Sequence, residues 1–274
     1  DYQEVITYSF IDPNIHRLLN NDKAPLELIN PIAPEYSEMR TTLLPGLVSA
    51  LQRNVKRQKE RVRLFETGSV FTGDKALKQD HHIGGIIYGN IYKKQWDKDD
   101  LLSDFYDVKC DLEVLLSSMV ESDRIKFVEG DNDILHPGQR MNVCIDDVKI
   151  GYFGQLHPNI CSNFEFIKNV YAYDLNIESL VGKKEIKYKK ISKFPTIRRD
   201  ISVVVDEQVK FEEISKCIKK DASELLVNLE LFDLYRGEGI EKGKKSLALG
   251  LTFQSIRSTL KDTEVENNMH TVIR

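Results

Sequence analysis

Leu44, Leu47, Val48, Leu51 and Val55 recur at three- and four-residue intervals, the spacing that gathers apolar side chains on one side of a helix. Pro45 suits the first turn of that helix, and Arg53, Lys56, Arg57 and Lys59 occupy its polar side. Val108, Leu112, Leu115 and Leu116 predict a second helix over 107–118. Between and after these, strands are predicted at Glu4–Phe10, Val62–Phe71, Ile83–Tyr88, Asn142–Ile145 and Lys149–Phe153. Asp12-Pro13 follows the first of them and opens a short helix. The pattern describes a mixed, mostly antiparallel sheet with flanking helices.

Beyond residue 200 the order is tidier. A strand at Ile201–Val205 precedes a helix at Phe211–Lys220, with Phe211, Ile214 and Ile218 inward. Strands at Leu225–Tyr235 and Ser246–Phe253 flank the turn Arg236-Gly237-Glu238-Gly239, and a last helix takes Asp262 as its N-cap. The sequence β-α-β-β-α is a ferredoxin-like split βαβ domain lacking its last strand, which leaves Ile201–Val205 at an open edge. The fold class is therefore α+β.

A chain of 274 residues accommodates two domains. Its net charge of −4 conceals an asymmetry: 20 Lys and Arg against 28 Asp and Glu in 1–182, then 19 against 15 in 183–274. An acidic domain over 1–182 and a weakly basic one over 183–274 follow, with the lysine-rich stretch 183–193 as linker. Basic charge in the second domain points to a polyanion as partner. With 30% charged residues and only short apolar runs, the chain has no membrane span.

Chemistry is sparse. Cys110, Cys144, Cys161 and Cys217 form no ligand pair, His81-His82 has no carboxylate or thiol at ligand spacing, and neither phosphate-binding glycine motif occurs. His136-Pro137-Gly138 and His157-Pro158 read as turns, and Asp97, Asp99, Asp100, Asp104 and Asp107 as a solvated helix start. No catalytic residue is nominated. One constellation stands out: Phe194-Pro195-x-x-Arg198-Arg199-Asp200 leads into the first strand of the second domain, and Phe232-Asp233-Leu234-Tyr235-Arg236 closes the next. Rings beside guanidinium groups at strand ends suit single-stranded RNA, where rings stack on bases and arginines hold phosphate. Strict alternation places Leu231, Asp233 and Tyr235 on one, exposed face and Phe232 on the other, in the core.

Phe194–Val205, Leu231–Gly237 and Lys244–Ala248 closely resemble the ferredoxin-fold anticodon-binding domain of the bacterial phenylalanyl-tRNA synthetase beta chain. Upstream, Tyr2–Phe10, Asn30-Pro31, Ser37–Gly46, Arg63–Gly68, Phe105–Lys109, His136–Gly138 and Gly154–Pro158 are similar, in order, to the class II synthetase-like core of that family. The resemblance implies a ligase subunit that supports ATP-dependent aminoacylation by assembling with an alpha chain and recognising the anticodon region of the tRNA for phenylalanine. It implies two alpha and two beta chains, a cytoplasmic enzyme, and ATP and magnesium for the whole enzyme, with no cofactor or metal bound by these residues. Asp233 and Tyr235 would contact a base, and Arg198, Arg199, Arg236 and Lys245 the RNA backbone. The core would be a scaffold: Arg63 lies three residues before Glu66, and Gly151-Tyr-Phe-Gly154 leads to Gln155, so the arginines that clamp ATP in class II catalysis are missing. Its helix 44–55 and the strand beside it would face the alpha chain. The alternative is a stand-alone RNA-binding protein built on the same ferredoxin-like module.

Overall fold

In the computed structural model, which describes residues 1–19, 25–73, 77–180, 188 and 190–273, the chain divides into two compact units, Asp1–Glu185 and Ile186–Arg274. Most of the 183–193 stretch lies outside the described residues.

In the first unit the short strands β1 (Gln3–Glu4) and β2 (Phe10–Ile11) are followed by α1 (Pro13–Leu19), β3 (Leu26–Glu27) and β4 (Glu38–Met39). Then come α2 (Leu44–Lys56), β5 (Val62–Thr72), β6 (Lys78–Tyr88) and α3 (Phe105–Ser117). The unit closes with β7 (Ile125–Glu129), β8 (Leu135–Ile145), β9 (Val148–Leu156), α4 (Pro158–Asn163) and β10 (Val170–Asn176). Seven strands form one sheet in the order β1-β5-β6-β10-β9-β8-β7, antiparallel except for the β1–β5 pair. A small second sheet has the order β2-β4-β3.

Two apolar layers sandwich the large sheet. Leu44, Leu47, Val48 and Leu51 of α2 are buried with Leu64, Ile86 and Ala172, while Val108, Leu112 and Leu116 of α3 are buried with Ile87, Phe153 and Tyr173. Removing a leucine or valine side chain from water contributes about 1.5–3 kcal/mol, so these two stripes fix which sides of the helices face the sheet. Asp104 starts α3 with a capping box: its side chain accepts from the Tyr106 and Asp107 amides, and Asp107 returns a bond to the Asp104 amide.

Several expectations need correction. Residues 4–10 are not one strand, because the chain leaves β5 after Val5, the Thr7 amide turns to the Glu66 carboxylate at 3.2 Å, and β2 joins the small sheet instead. His136, Pro137 and Gly138 lie inside β8, at an irregularity in its pairing with β9, and His157 caps α4 by accepting from the Asn159 amide. The apolar stripe of α2 does not face outward toward an alpha chain; the unit's own sheet consumes it.

The second unit runs β11 (Ile197–Asp206), α5 (Phe211–Asp221), β12 (Leu226–Tyr235), β13 (Lys244–Phe253) and α6 (Asp262–Ile273). Its sheet is ordered β11-β13-β12, antiparallel throughout, so the split βαβ topology is present and β11 pairs only with β13 among the described residues. Leu247, Leu249, Leu251 and Phe253 of the central strand are buried with Ile218 of α5 and Val265 of α6. The helices thus cover one face of the sheet and leave the other to solvent. Asp262 is the first residue of α6, not its cap: the Lys261 amide donates to Glu264 at 2.8 Å across that first turn.

Candidate functional site

The open face of the β11-β13-β12 sheet follows from alternation along β11. Ile197, Ile201, Val203 and Val205 pack with the helices, so Arg198, Asp200, Ser202 and Val204 point to solvent. On the central strand Ser246, Ala248, Gly250 and Thr252 share that outer face, opposite Val204, Ser202, Asp200 and Arg198. On β12 simple alternation fails twice. Register shifts between Leu226 and Asn228, and between Leu231 and Asp233, insert Val227 and Phe232 as extra residues. Leu229 and Leu231 therefore pair with buried Leu251 and Leu249, and Leu234 with buried Leu247, while Asp233 and Tyr235 pair with Ala248 and Ser246 on the outer face. Leu231 thus does not share their face as alternation implied but packs toward the helices.

Phe232 was expected in the core and is 47% exposed, the bulge having carried it to the solvent side. There the Arg198 guanidinium lies 5.3 Å from its ring centroid. Arg198 donates from Nε to Asp200 at 2.8 Å and from Nη1 to Glu230 at 3.1 Å. It lies flat across the central strand because Gly250 is there; a Cβ at that position would come within 2.6 Å of Nη2. Tyr235 is 48% exposed, and its hydroxyl donates to the Glu238 carbonyl at 3.2 Å. The ring bends over the β12–β13 turn against Gly237, where a Cβ would come within 2.6 Å of the Tyr235 hydroxyl and push the ring aside.

The six residues singled out in the sequence divide between faces. Arg198, Asp233 and Tyr235 share the open one. Arg199 pairs with Leu251 on the helix side and donates to Asp262 of α6 at 2.9 Å. Lys245, opposite Val205, donates to the Glu207 carbonyl at 2.8 Å. Arg236 forms a salt bridge with Glu207 at 2.6 Å, which holds that carboxyl below the usual glutamate range. Glu230 and Gly250 also lie on the open face without any mark in the sequence, and Phe232 joins them against its place in the alternation. The alternating pattern carries no sign of the bulge, and only the spacing of Leu231 and Leu234, three apart where a regular strand would need two or four, hints at it.

In the first unit, Arg63 is held by Asp111 at 3.1 Å and lies 5.8 Å from the Tyr2 ring centroid, whose hydroxyl burial pushes far up. Gln155 is buried. Neither side chain is offered to solvent as a phosphate ligand would be. A cavity of about 570 Å³ opens instead beside the polar side of α2, between Gly46, Ser49 and Arg53 and the exposed Ile6, Tyr8 and Tyr36. Among the described residues, no helix is long and apolar enough to cross a membrane.

Residues 1–177 match the family described as the phenylalanyl tRNA synthetase beta chain CLM domain, and residues 192–274 match the ferredoxin-fold anticodon binding domain. The phenylalanine–tRNA ligase beta subunit of Pseudomonas fluorescens Pf-5 is 39% identical over 99% of this chain and 34% of its own length. That of Nitrosococcus oceani is 40% identical over 97% and 34%, and that of Coxiella burnetii 39% identical over 99% and 35%. The chain spans about a third of the length of these curated relatives. Among solved structures, a pyrrolysyl tRNA synthetase from Desulfitobacterium hafniense aligns at TM-score 0.48 and 14% identity, over 66% of this chain and 60% of that one.

Two adjoining matches in this order place the chain among aminoacyl-tRNA synthetase components. It belongs to the phenylalanyl-tRNA synthetase beta chain family.

Proposed function

We propose that the chain is part of the beta subunit of a phenylalanine–tRNA ligase, where it contributes subunit assembly and recognition of the anticodon region of the tRNA for phenylalanine. The observation that carries this reading is the order of the two matches, a beta-chain core at 1–177 followed by an anticodon-binding domain at 192–274 whose sheet turns Asp233 and Tyr235 to solvent. Tyr235 stacks on a base, and Asp233 accepts a hydrogen bond from a base edge, a contact that carries sequence information. Arg199, Arg236 and Lys245 reach the RNA backbone by exchanging their present partners. The first unit is a scaffold. Its sheet is filled on both faces, and Ile6, Tyr8 and Tyr36 beside the polar side of α2 offer an apolar surface to the alpha chain. The alpha chain performs ATP- and magnesium-dependent aminoacylation in a cytoplasmic assembly of two alpha and two beta chains.

Co-expression with a tagged alpha chain, followed by titration of the complex with an anticodon stem–loop, tests the reading. Capture together with stem–loop binding is the expected result. Stem–loop binding without capture would favour the stand-alone RNA-binding protein. Pyrophosphate exchange by this chain alone would overturn the scaffold assignment.

A further inference from the structure

We infer that Phe232 and Arg198 form a second stacking step for an unpaired nucleobase on the open sheet face, with Arg198 supplying the plane of its guanidinium and not a charge for phosphate. The inference rests on the RNA-binding reading above and assigns residues within that face.

Three observations converge on it. First, the bulge spends an extra residue to bring an aromatic ring into water, at 47% exposure, where the fold gains little from it. A ring needed for packing would face the helices, as Phe253 does on the neighbouring strand. Second, the guanidinium is already matched by charge. Asp200 and Glu230 both bind it, so two carboxylates hold one cation. That local surplus of negative charge repels phosphate. It also presents acceptors to the amino groups of base edges. Third, Gly250 supplies the floor. Without a side chain at this position on the central strand, the guanidinium lies flat against the sheet, 5.3 Å from the Phe232 ring centroid. Unstacked RNA bases settle on aromatic rings and on arginine planes alike. Tyr235 lies further along the same strand and face, so the two steps take two bases of one single-stranded loop.

The test uses the full chain and an anticodon stem–loop hairpin carrying 2-aminopurine at one loop position at a time, since stacking quenches its fluorescence. Two quenched positions are expected. Phe232→Leu restores emission at one of them and weakens binding about tenfold, whereas Tyr235→Ala restores the other. Arg198→Lys, which keeps the charge and loses the plane, weakens binding to a similar degree. Gly250→Ala, whose new Cβ displaces the guanidinium, reproduces that loss without lowering the unfolding temperature. Arg198→Gln leaves the salt dependence of binding unchanged.

The inference is overturned if Arg198→Lys binds like the parent protein while Arg198→Gln lowers the salt slope by about 0.7, the signature of one lost phosphate contact on a single strand. It is equally overturned if Phe232→Leu changes no loop position. In either case a loss confined to Tyr235→Ala leaves the RNA-binding reading standing. Failure of the parent protein to bind the hairpin removes both.

Discussion

Arg40 and Glu66 form an ion pair shut away from water, with Nη1 2.7 Å from Oε1 and side chains only 4% and 2% exposed. Arg40 also donates from Nε to the Ser69 carbonyl at 2.9 Å and from Nη1 to Thr7 at 3.2 Å, and Thr7 in turn donates to Glu66 at 2.8 Å. The cluster ties the N-terminal segment and the turn before α2 to β5. Replacing one partner strands the other charge, which costs far more than the pair contributes by itself. Arg40→Met is expected to lower stability by about 3–5 kcal/mol in urea denaturation, and the double variant with Glu66→Gln to recover part of the loss. A single-variant loss under about 1 kcal/mol would mean that water reaches the pair.

Asp174 of β10 plays a comparable part for α2. Its carboxylate accepts from the Leu43 amide at 2.9 Å, from the Thr42 hydroxyl and from the His82 ring, and Leu43 is the N-cap of a helix that has no side-chain cap of its own. Asp174→Ala should cost about 3 kcal/mol and Asp174→Asn less, because the amide oxygen keeps one acceptor. Amide hydrogen exchange would show the first turn of α2 opening ahead of the rest of the unit.

Tyr235→Ala should weaken binding to the anticodon stem–loop by about 1–3 kcal/mol through loss of one base stack. The ring is half exposed, lies over the turn against Gly237 and takes no part in the buried core, so circular dichroism and melting temperature should hardly change. Unaltered affinity on titration would remove Tyr235 from the binding face.

The cysteines divide by burial, with Cys110 and Cys217 exposed and Cys144 and Cys161 buried. Burial pushes the Cys161 thiol up, which leaves less of the reactive thiolate at neutral pH. An aromatic disulfide reagent should therefore titrate two thiols in the native protein and four in denaturant. A fast third thiol before unfolding would contradict the burial of Cys144 in β8 or of Cys161 in α4.

The parts of the fold legible in the sequence are those with one wet face. The α2 spacing from Leu44 to Val55 and the alternation of Ile201, Val203 and Val205 each reflect burial on one side, and both elements formed where the pattern put them. Strand β10 escaped notice for the opposite reason. Val170 to Leu175 are all buried, so the central strand carries no alternation to read. Plain alternation groups Asp233 and Tyr235 with Leu231 and sets Phe232 apart, whereas the bulge turns Leu231 to the helices and Phe232 to water. The outward position of Asp233 and Tyr235 therefore agrees with the pattern, and those of Leu231 and Phe232 do not. Arg199 and Lys245 looked equivalent to Arg198 because clustering of charge says nothing about which face a side chain leaves from.

The extra residue in β12 separates two things that a strand ordinarily couples. Elsewhere in a sheet, adding or deleting one residue turns every later core side chain toward water. At Phe232 the ladder already steps over the residue, with Leu231 opposite Leu249 and Asp233 opposite Ala248. Losing it would join those neighbours in plain alternation and leave Leu234 and Tyr235 where they are. The protein can thus gain, lose or exchange an aromatic surface at this point as an independent module, with its hydrophobic interior indifferent to the change.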